Sequence, residues 1–112
     1  MRLPGAERAV VDIAKLQEYC LNPQHPRGRH KARVFVSALN LHQADVEFLR
    51  SQLLDAARLT DVMVGDADEY GQRYVIDFEC VNGTRRGLVR SAWIILRGED
   101  FPRLATCYVL SE

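Results

Sequence analysis

The chain has 112 residues, 47% of them hydrophobic and 27% charged, which is the composition of an ordinary globular protein. The net charge of +0 excludes a protein whose whole surface attracts nucleic acid, but not one with a local basic patch. No apolar run is long enough to span a bilayer and the N-terminus has no signal-peptide pattern, so we expect a single cytoplasmic domain over residues 1–112.

Three helices are predicted in the first half of the chain. Asp12 can cap the first helix, and Asn22-Pro23 ends it. The second helix begins near Arg29 and ends at Asn40, which can adopt the left-handed conformation just past a helix. The third helix runs from about residue 43 to residue 59, where apolar residues repeat at helical spacing.

From residue 61 onward, the hydrophobic pattern alternates as in β-strands. The predicted strands cover residues 62–64, 73–81, 84–96 and 104–110. Asn82-Gly83 is a preferred pair for a two-residue type I′ hairpin, which would place Val81 opposite Thr84. We therefore predict an α+β fold in which about three helices precede a three- or four-stranded antiparallel sheet and pack on one of its faces.

This register predicts one apolar and one mixed sheet face. The apolar face, expected under the helices, carries Tyr74, Ile76, Phe78, Cys80, Val89, Ser91, Trp93 and Ile95. On the mixed face Glu79 would lie opposite Arg86, and Asp77 diagonal to Arg90. These four residues are either a catalytic surface or exposed ion pairs, each worth less than about 1 kcal/mol, and we favour ion pairs.

The loop before the second helix and the start of that helix form a basic cluster. Its members are His25, Arg27, Arg29, His30, Lys31 and Arg33, with no acidic residue among them. Histidine can transfer protons near neutrality, and the cations can hold an anion beside a helix N-terminus. Pro23 and Pro26 stiffen the loop. The alternative, which we favour slightly, is a rigid turn with solvated arginines.

The cysteine and histidine patterns predict no metal. Cys20, Cys80 and Cys107 are odd in number and widely separated, which is typical of neither a metal knuckle nor a disulfide framework. The three histidines add no recurring zinc-ligand spacing. We therefore expect core thiols and no cofactor, and no established catalytic motif is present.

A motif around the basic loop resembles the bacterial domain of unknown function family 6883. It is carried by Lys15, Tyr19, Asn22, Pro23, His25, Pro26, Gly28, Lys31, Ala32 and Phe35. The resemblance extends over nearly the whole chain through residues 70–74, 91–94 and 102–106, with Asn40 in place of the family's glycine. The family has no settled activity, but its domains resemble components of bacterial toxin and antitoxin gene pairs. Helices preceding an antiparallel sheet also resemble small metal-independent ribonucleases of the barnase, colicin and relaxed-control toxin type.

Two functions follow as hypotheses. In the first, the domain is a toxin-type, metal-independent endoribonuclease with His25 as acid or base and with Lys31 and Arg90 neutralising charge at the phosphate. The binding residues would be Arg27, Arg29, His30, Arg33, Asp77, Glu79 and Arg86. In the second, it is a non-catalytic interaction module, an inhibitor or structural partner, that uses the sheet edge and the acidic loop Asp66–Glu69.

The expected partners are a small protein encoded nearby and RNA, without membrane contact, and the sequence leaves the oligomeric state open. Convergence of His25, Lys31 and Arg90 in one cleft would favour the enzyme, whereas a flat patch with these residues scattered would favour binding alone.

Overall fold

The structure is a computed structural model that describes residues 1–111. Its helical half contains a 3-10 turn at Ala6–Arg8, α1 at Ile13–Lys15 continued by a π-helical turn at Leu16–Cys20, α2 at Arg29–Leu39, and α3 at Val46–Leu59 preceded by a 3-10 turn at Gln43–Asp45. Its strands are β1 at Met63–Ala67, β2 at Gly71–Asn82, β3 at Arg85–Leu96 and β4 at Arg103–Ser111. They form one antiparallel sheet in the order β1-β2-β3-β4, so the predicted α+β fold is confirmed. No helix between residues 1 and 111 has the length and apolar character needed to cross a membrane.

The helix ends follow local capping rules. The Asp12 carboxylate accepts a hydrogen bond from the Lys15 amide at 3.2 Å, as predicted for the cap of α1. At the end of α2, Asn40 has a φ of 53°, and the Leu41 amide donates to the Phe35 carbonyl at 3.1 Å. This left-handed turn satisfies a free carbonyl of the last helical turn and carries Leu41 back into the core.

The predicted hairpin register is wrong by two residues. The loop consists of Gly83 and Thr84, and Asn82 pairs with Arg85 inside the strands. The physical reason is that the Asn82 side-chain amide donates to the Leu39 carbonyl at 2.8 Å, which caps the C-terminus of α2 and holds Asn82 in β2. Glycine at the first loop position, with a φ of 61°, is typical of a type II′ turn.

The shift changes the pairs on the mixed face but not the faces themselves. Asp77 lies directly opposite Arg90 rather than diagonal to it, and Glu79 lies opposite Leu88 rather than Arg86. Because side chains alternate with a period of two, a shift of two residues leaves each side chain on its predicted face.

The inner face of the sheet packs against the helices around Trp93. The Trp93, Ile76 and Val89 side chains are fully buried, as is Phe35 of α2. The Trp93 indole N–H donates to the Ser91 hydroxyl at 2.9 Å, and that hydroxyl donates to the Ile76 carbonyl at 2.9 Å. The polar groups buried beside Trp93 are thus satisfied, and the predicted helix-covered face is confirmed.

β1 is longer than predicted, and it covers only part of β2. The strand continues through residues 65–67, which we expected to be loop, because the Gln72 side-chain amide donates to the Gly65 carbonyl at 2.9 Å. Met63 lies opposite Val75, and Ala67 lies opposite Gln72. From residue 76 to its end, β2 therefore has a strand neighbour on the β3 side only, within the part of the chain described here.

Candidate nucleic-acid interface

The loop between α1 and α2 is built by its own side chains. The Asn22 side-chain oxygen Oδ1 accepts from the Gln24 backbone amide at 2.9 Å. His25 Nδ1 accepts from the backbone amides of Arg27 and Gly28, each at 3.0 Å, and thereby satisfies donors at the start of α2. Since Nδ1 accepts, the neutral imidazole carries its proton on Nε2.

Tyr19 and Gly28 complete the junction. The Tyr19 ring meets the His25 ring edge-on, with 4.5 Å between ring centroids. A Cβ atom on Gly28 would lie 2.5 Å from the Tyr19 carbonyl oxygen, so only glycine allows this close approach. The motif around His25 therefore has a structural role, which is to join the first helix to α2.

We expect His25→Ala to lower the free energy of unfolding by about 1–2 kcal/mol, because two amides lose their acceptor as they do when a helix cap is removed. His25→Asn is the matched control, since the asparagine oxygen can accept at a helix start and should restore part of the loss. Urea denaturation followed by circular dichroism measures both. Equal midpoints for His25→Ala and the parent chain would contradict this role.

The exposed cations that follow this loop form a surface that we call the basic patch. Its members, all exposed, are Arg27, Arg29, His30, Lys31 and Arg33. Within residues 1–111 none of them pairs with a carboxylate, whereas Arg86, Arg90 and Arg103 each do. The α2 helix has no acidic residue in its first turn, so these charges add to the positive end of the helix dipole instead of opposing it. These like charges destabilise the start of α2 and concentrate positive electrostatic potential at the basic patch.

Two of the three predicted catalytic residues meet at Tyr108 of β4. The Lys31 ammonium lies 4.5 Å from the centroid of the Tyr108 ring. Tyr108 lies opposite Arg90 in the sheet. The Arg90 guanidinium also forms a bidentate pair with Asp77, at 2.8 and 2.9 Å, and these bonds raise the pKa of Arg90.

His25 has other contacts, since its ring lies against Tyr19 and its Nδ1 atom is occupied by the backbone. On the mixed face, Arg86 and Glu79 form an ion pair at 2.9 Å in which both side chains are at least 60% exposed. The four charged residues of that face are therefore paired, as the favoured interpretation of the sequence predicted.

Sequence reasoning missed Tyr108. Alternation along β4 was sufficient to place Tyr108 on the mixed face, because its neighbour Cys107 points to the other face of the sheet. Its position beside Arg90 depends on the pairing of β3 with β4, and its contact with Lys31 depends on how α2 packs against β4, and no local signal determines either.

The three cysteines are buried and unoxidised, as predicted for core thiols. Cys20 and Cys107 interact in the core, and this interaction lowers the pKa of Cys20 to about 7 and raises the pKa of Cys107. Among residues 1–111, no group of three histidine, cysteine or acidic side chains is arranged to hold a metal ion.

Comparison with protein-family models finds a match over residues 2–111 to the family described as Domain of unknown function (DUF6883). Comparison with curated proteins finds no match.

Proposed function

We propose, from the premise that the chain belongs to the domain of unknown function family 6883, that it binds an RNA strand at the basic patch and cleaves that strand without a metal, as the toxin component of a toxin–antitoxin type pair. The family description leaves the activity open, so the proposal depends on the geometry.

The observation that carries the proposal is the set of cations in the basic patch that no carboxylate of residues 1–111 neutralises. Six of the ten arginines outside the basic patch pair with an acid within residues 1–111, as Arg8 does with Asp100 and Arg103 with Glu99, whereas none of the three arginines in the patch does. Unmatched cations at a helix start attract a phosphodiester backbone, because phosphate replaces the missing carboxylates and releases bound counterions. The Tyr108 ring holds the Lys31 ammonium over its face, which positions one cation of the patch.

In metal-independent cleavage the ribose 2′-oxygen bonds to the adjacent phosphorus as the bond from phosphorus to the 5′-oxygen breaks. The 2′-hydroxyl loses its proton to water, the leaving 5′-oxygen gains a proton from a donor, and the charge that develops at phosphorus needs stabilisation. Lys31, together with Arg90, which Asp77 holds in place, supplies the charge, and the hydroxyl of Tyr108, which contacts Lys31 and lies opposite Arg90, supplies the proton. His25 contacts Tyr19 and the backbone at the start of α2, and none of its contacts within residues 1–111 is to Lys31 or Tyr108. We therefore assign the proton-transfer role, which the sequence suggested for His25, to Tyr108.

Binding is tested by measuring the affinity of a labelled single-stranded RNA as a function of salt concentration, using fluorescence anisotropy. Replacing Arg29 and Arg33 together with glutamine should reduce the dependence of log K on log salt by about 0.7 per lost phosphate contact. The fold should be little affected, because the hydrogen bond lost from Arg29 to the Pro26 carbonyl, at 2.8 Å, is exposed and removing cations from a helix N-terminus does not destabilise it. Arg97→Gln, an exposed arginine at the end of β3, is the control with the same charge change. Equal slopes for the patch variant and the control would contradict the proposal.

The second candidate is the non-catalytic interaction module, favoured by the uncovered edge of β2. Within the acidic loop Asp66–Glu69, which we expect to serve it, Asp68 also has a structural role. The Asp68 carboxylate accepts from the amides of Tyr70 and Gly71 and pairs with Arg73 at 3.0 Å, so it builds the turn between β1 and β2. These bonds also lower the pKa of Asp68.

A further inference from the structure

The C-terminal part of β2 has an unoccupied hydrogen-bonding edge. Asn82 and Arg85 flank the two-residue loop, so they are a hydrogen-bonded pair, and every second residue before Asn82 also faces β3. Two carbonyls agree with this alternation. The Ile76 carbonyl accepts from Ser91 of β3, whereas the Arg73 carbonyl accepts from the Gln72 side chain, on the β1 side.

The main-chain groups of Asp77, Glu79 and Val81 therefore point away from β3. Within residues 1–111 no strand pairs with them there, because the β1 pairing ends at Val75. Such an edge is a template for an added strand, since its amides and carbonyls retain their capacity to bond.

A groove follows this edge, between β2 and the C-terminal turns of α3. Its volume is about 420 Å³, and it opens to solvent. Two apolar side chains line it: Leu59 of α3, which is 71% exposed, and Phe78 of β2, which is half-buried. An extended segment placed between strand and helix would thus find backbone partners on one side and apolar surface on the other.

The charge of the groove selects its occupant. Asp55, Asp77 and Glu79 line the groove, and no cationic residue does. Because Arg90 and Arg86 already pair with Asp77 and Glu79 on the mixed face, the unneutralised charge of the lining is that of Asp55. Asp55 is exposed and has no ion-pair partner within residues 1–111. We propose that the β2 edge and this groove bind an extended segment of another protein that carries lysine or arginine among apolar residues, added as an extra strand.

A second copy of this chain fits the edge poorly. Residues 76–82 of β2 contain no lysine or arginine, so the β2 edge of a second copy would bring no cation to Asp55. The groove and the basic patch consist of different residues, so this proposal is independent of RNA binding.

The test selects displayed random short peptides against the folded, full-length chain and measures a selected peptide by NMR titration. We expect enriched peptides to alternate apolar residues with lysine or arginine, and the largest amide shifts to fall on residues 77, 79 and 81. Val81→Pro removes an outward amide that the fold does not use, a change that edge strands tolerate, and should weaken binding by about tenfold.

A double charge reversal, Asp55→Lys with Glu79→Lys, keeps the test decisive if Val81→Pro does not fold. Selection against this variant should favour acidic peptides instead. Asp66→Asn, an exposed acid outside the groove, should leave the original affinity unchanged. Failure to enrich any peptide, enrichment of acidic peptides by the parent chain, or a folded Val81→Pro variant with full affinity would overturn the proposal. Dimerisation of the parent chain that Val81→Pro abolishes would also overturn it, because the occupant would then be a second copy.

Discussion

Trp93→Ala should lower the free energy of unfolding by about 3–5 kcal/mol, a large share of the roughly 5–15 kcal/mol that stabilises a small domain. The Trp93 side chain is fully buried between sheet and helices, and its indole N–H bonds the buried Ser91 hydroxyl. Truncation removes the apolar contacts, leaves a cavity and takes a donor from that hydroxyl.

Trp93 is the only tryptophan, so the unfolding of this variant must be followed by far-UV circular dichroism in urea rather than by fluorescence. Leu59→Ala is the control, because a side chain that is 71% exposed should change stability by no more than about 0.5 kcal/mol. Phe35→Ala, which truncates the other fully buried aromatic side chain, should resemble Trp93→Ala. An unchanged midpoint for Trp93→Ala would mean that the core lies elsewhere.

Tyr108→Phe should reduce RNA cleavage by about 10²- to 10⁴-fold, the usual contribution of a positioned proton donor. The substitution removes only the hydroxyl, so the ring that Lys31 contacts remains and the melting midpoint should change little. The assay is fragmentation of single-stranded RNA by the purified chain in the presence of a chelator, analysed on a denaturing gel.

Tyr70→Phe, in which an exposed hydroxyl in the turn between β1 and β2 is lost, should cleave like the parent chain. Lys31→Gln should lower both affinity and cleavage, because Lys31 is proposed to hold the phosphate. Full activity of Tyr108→Phe would remove Tyr108 from the mechanism. RNA binding without fragmentation by the parent chain would reduce the function to binding.

Hydrophobic period and local cap chemistry were sufficient to locate the helices and the two faces of the sheet. Asp12, Asn40 and the alternation around Trp93 act within a few residues, so their effects are visible in a short window of sequence. The basic patch could be located for the same reason, since its cations are neighbours along the chain.

The hairpin register could not be predicted in the same way. Asn82-Gly83 is a strong local signal for a type I′ turn, but the Asn82 amide finds a better partner in the Leu39 carbonyl, 43 residues earlier in the chain. A buried helix end needs its carbonyls satisfied, and this requirement overrides the turn preference by moving Asn82 into the strand.

For the candidate site, too, sequence predicted some features and tertiary structure determined the others. Residue types and spacing alone indicated a basic, proline-stiffened loop, an α+β fold and ion pairs on the mixed face. The packing of α2 against β4 was needed to bring Lys31 to Tyr108. The folded loop was needed to turn His25 Nδ1 toward the backbone. The edge of β2 is uncovered because β1 pairs with only part of that strand. Each of these arrangements either joins residues far apart in sequence or depends on which donor bonds to an acceptor in the folded chain. Long-range packing and the need to satisfy hydrogen bonds determine both.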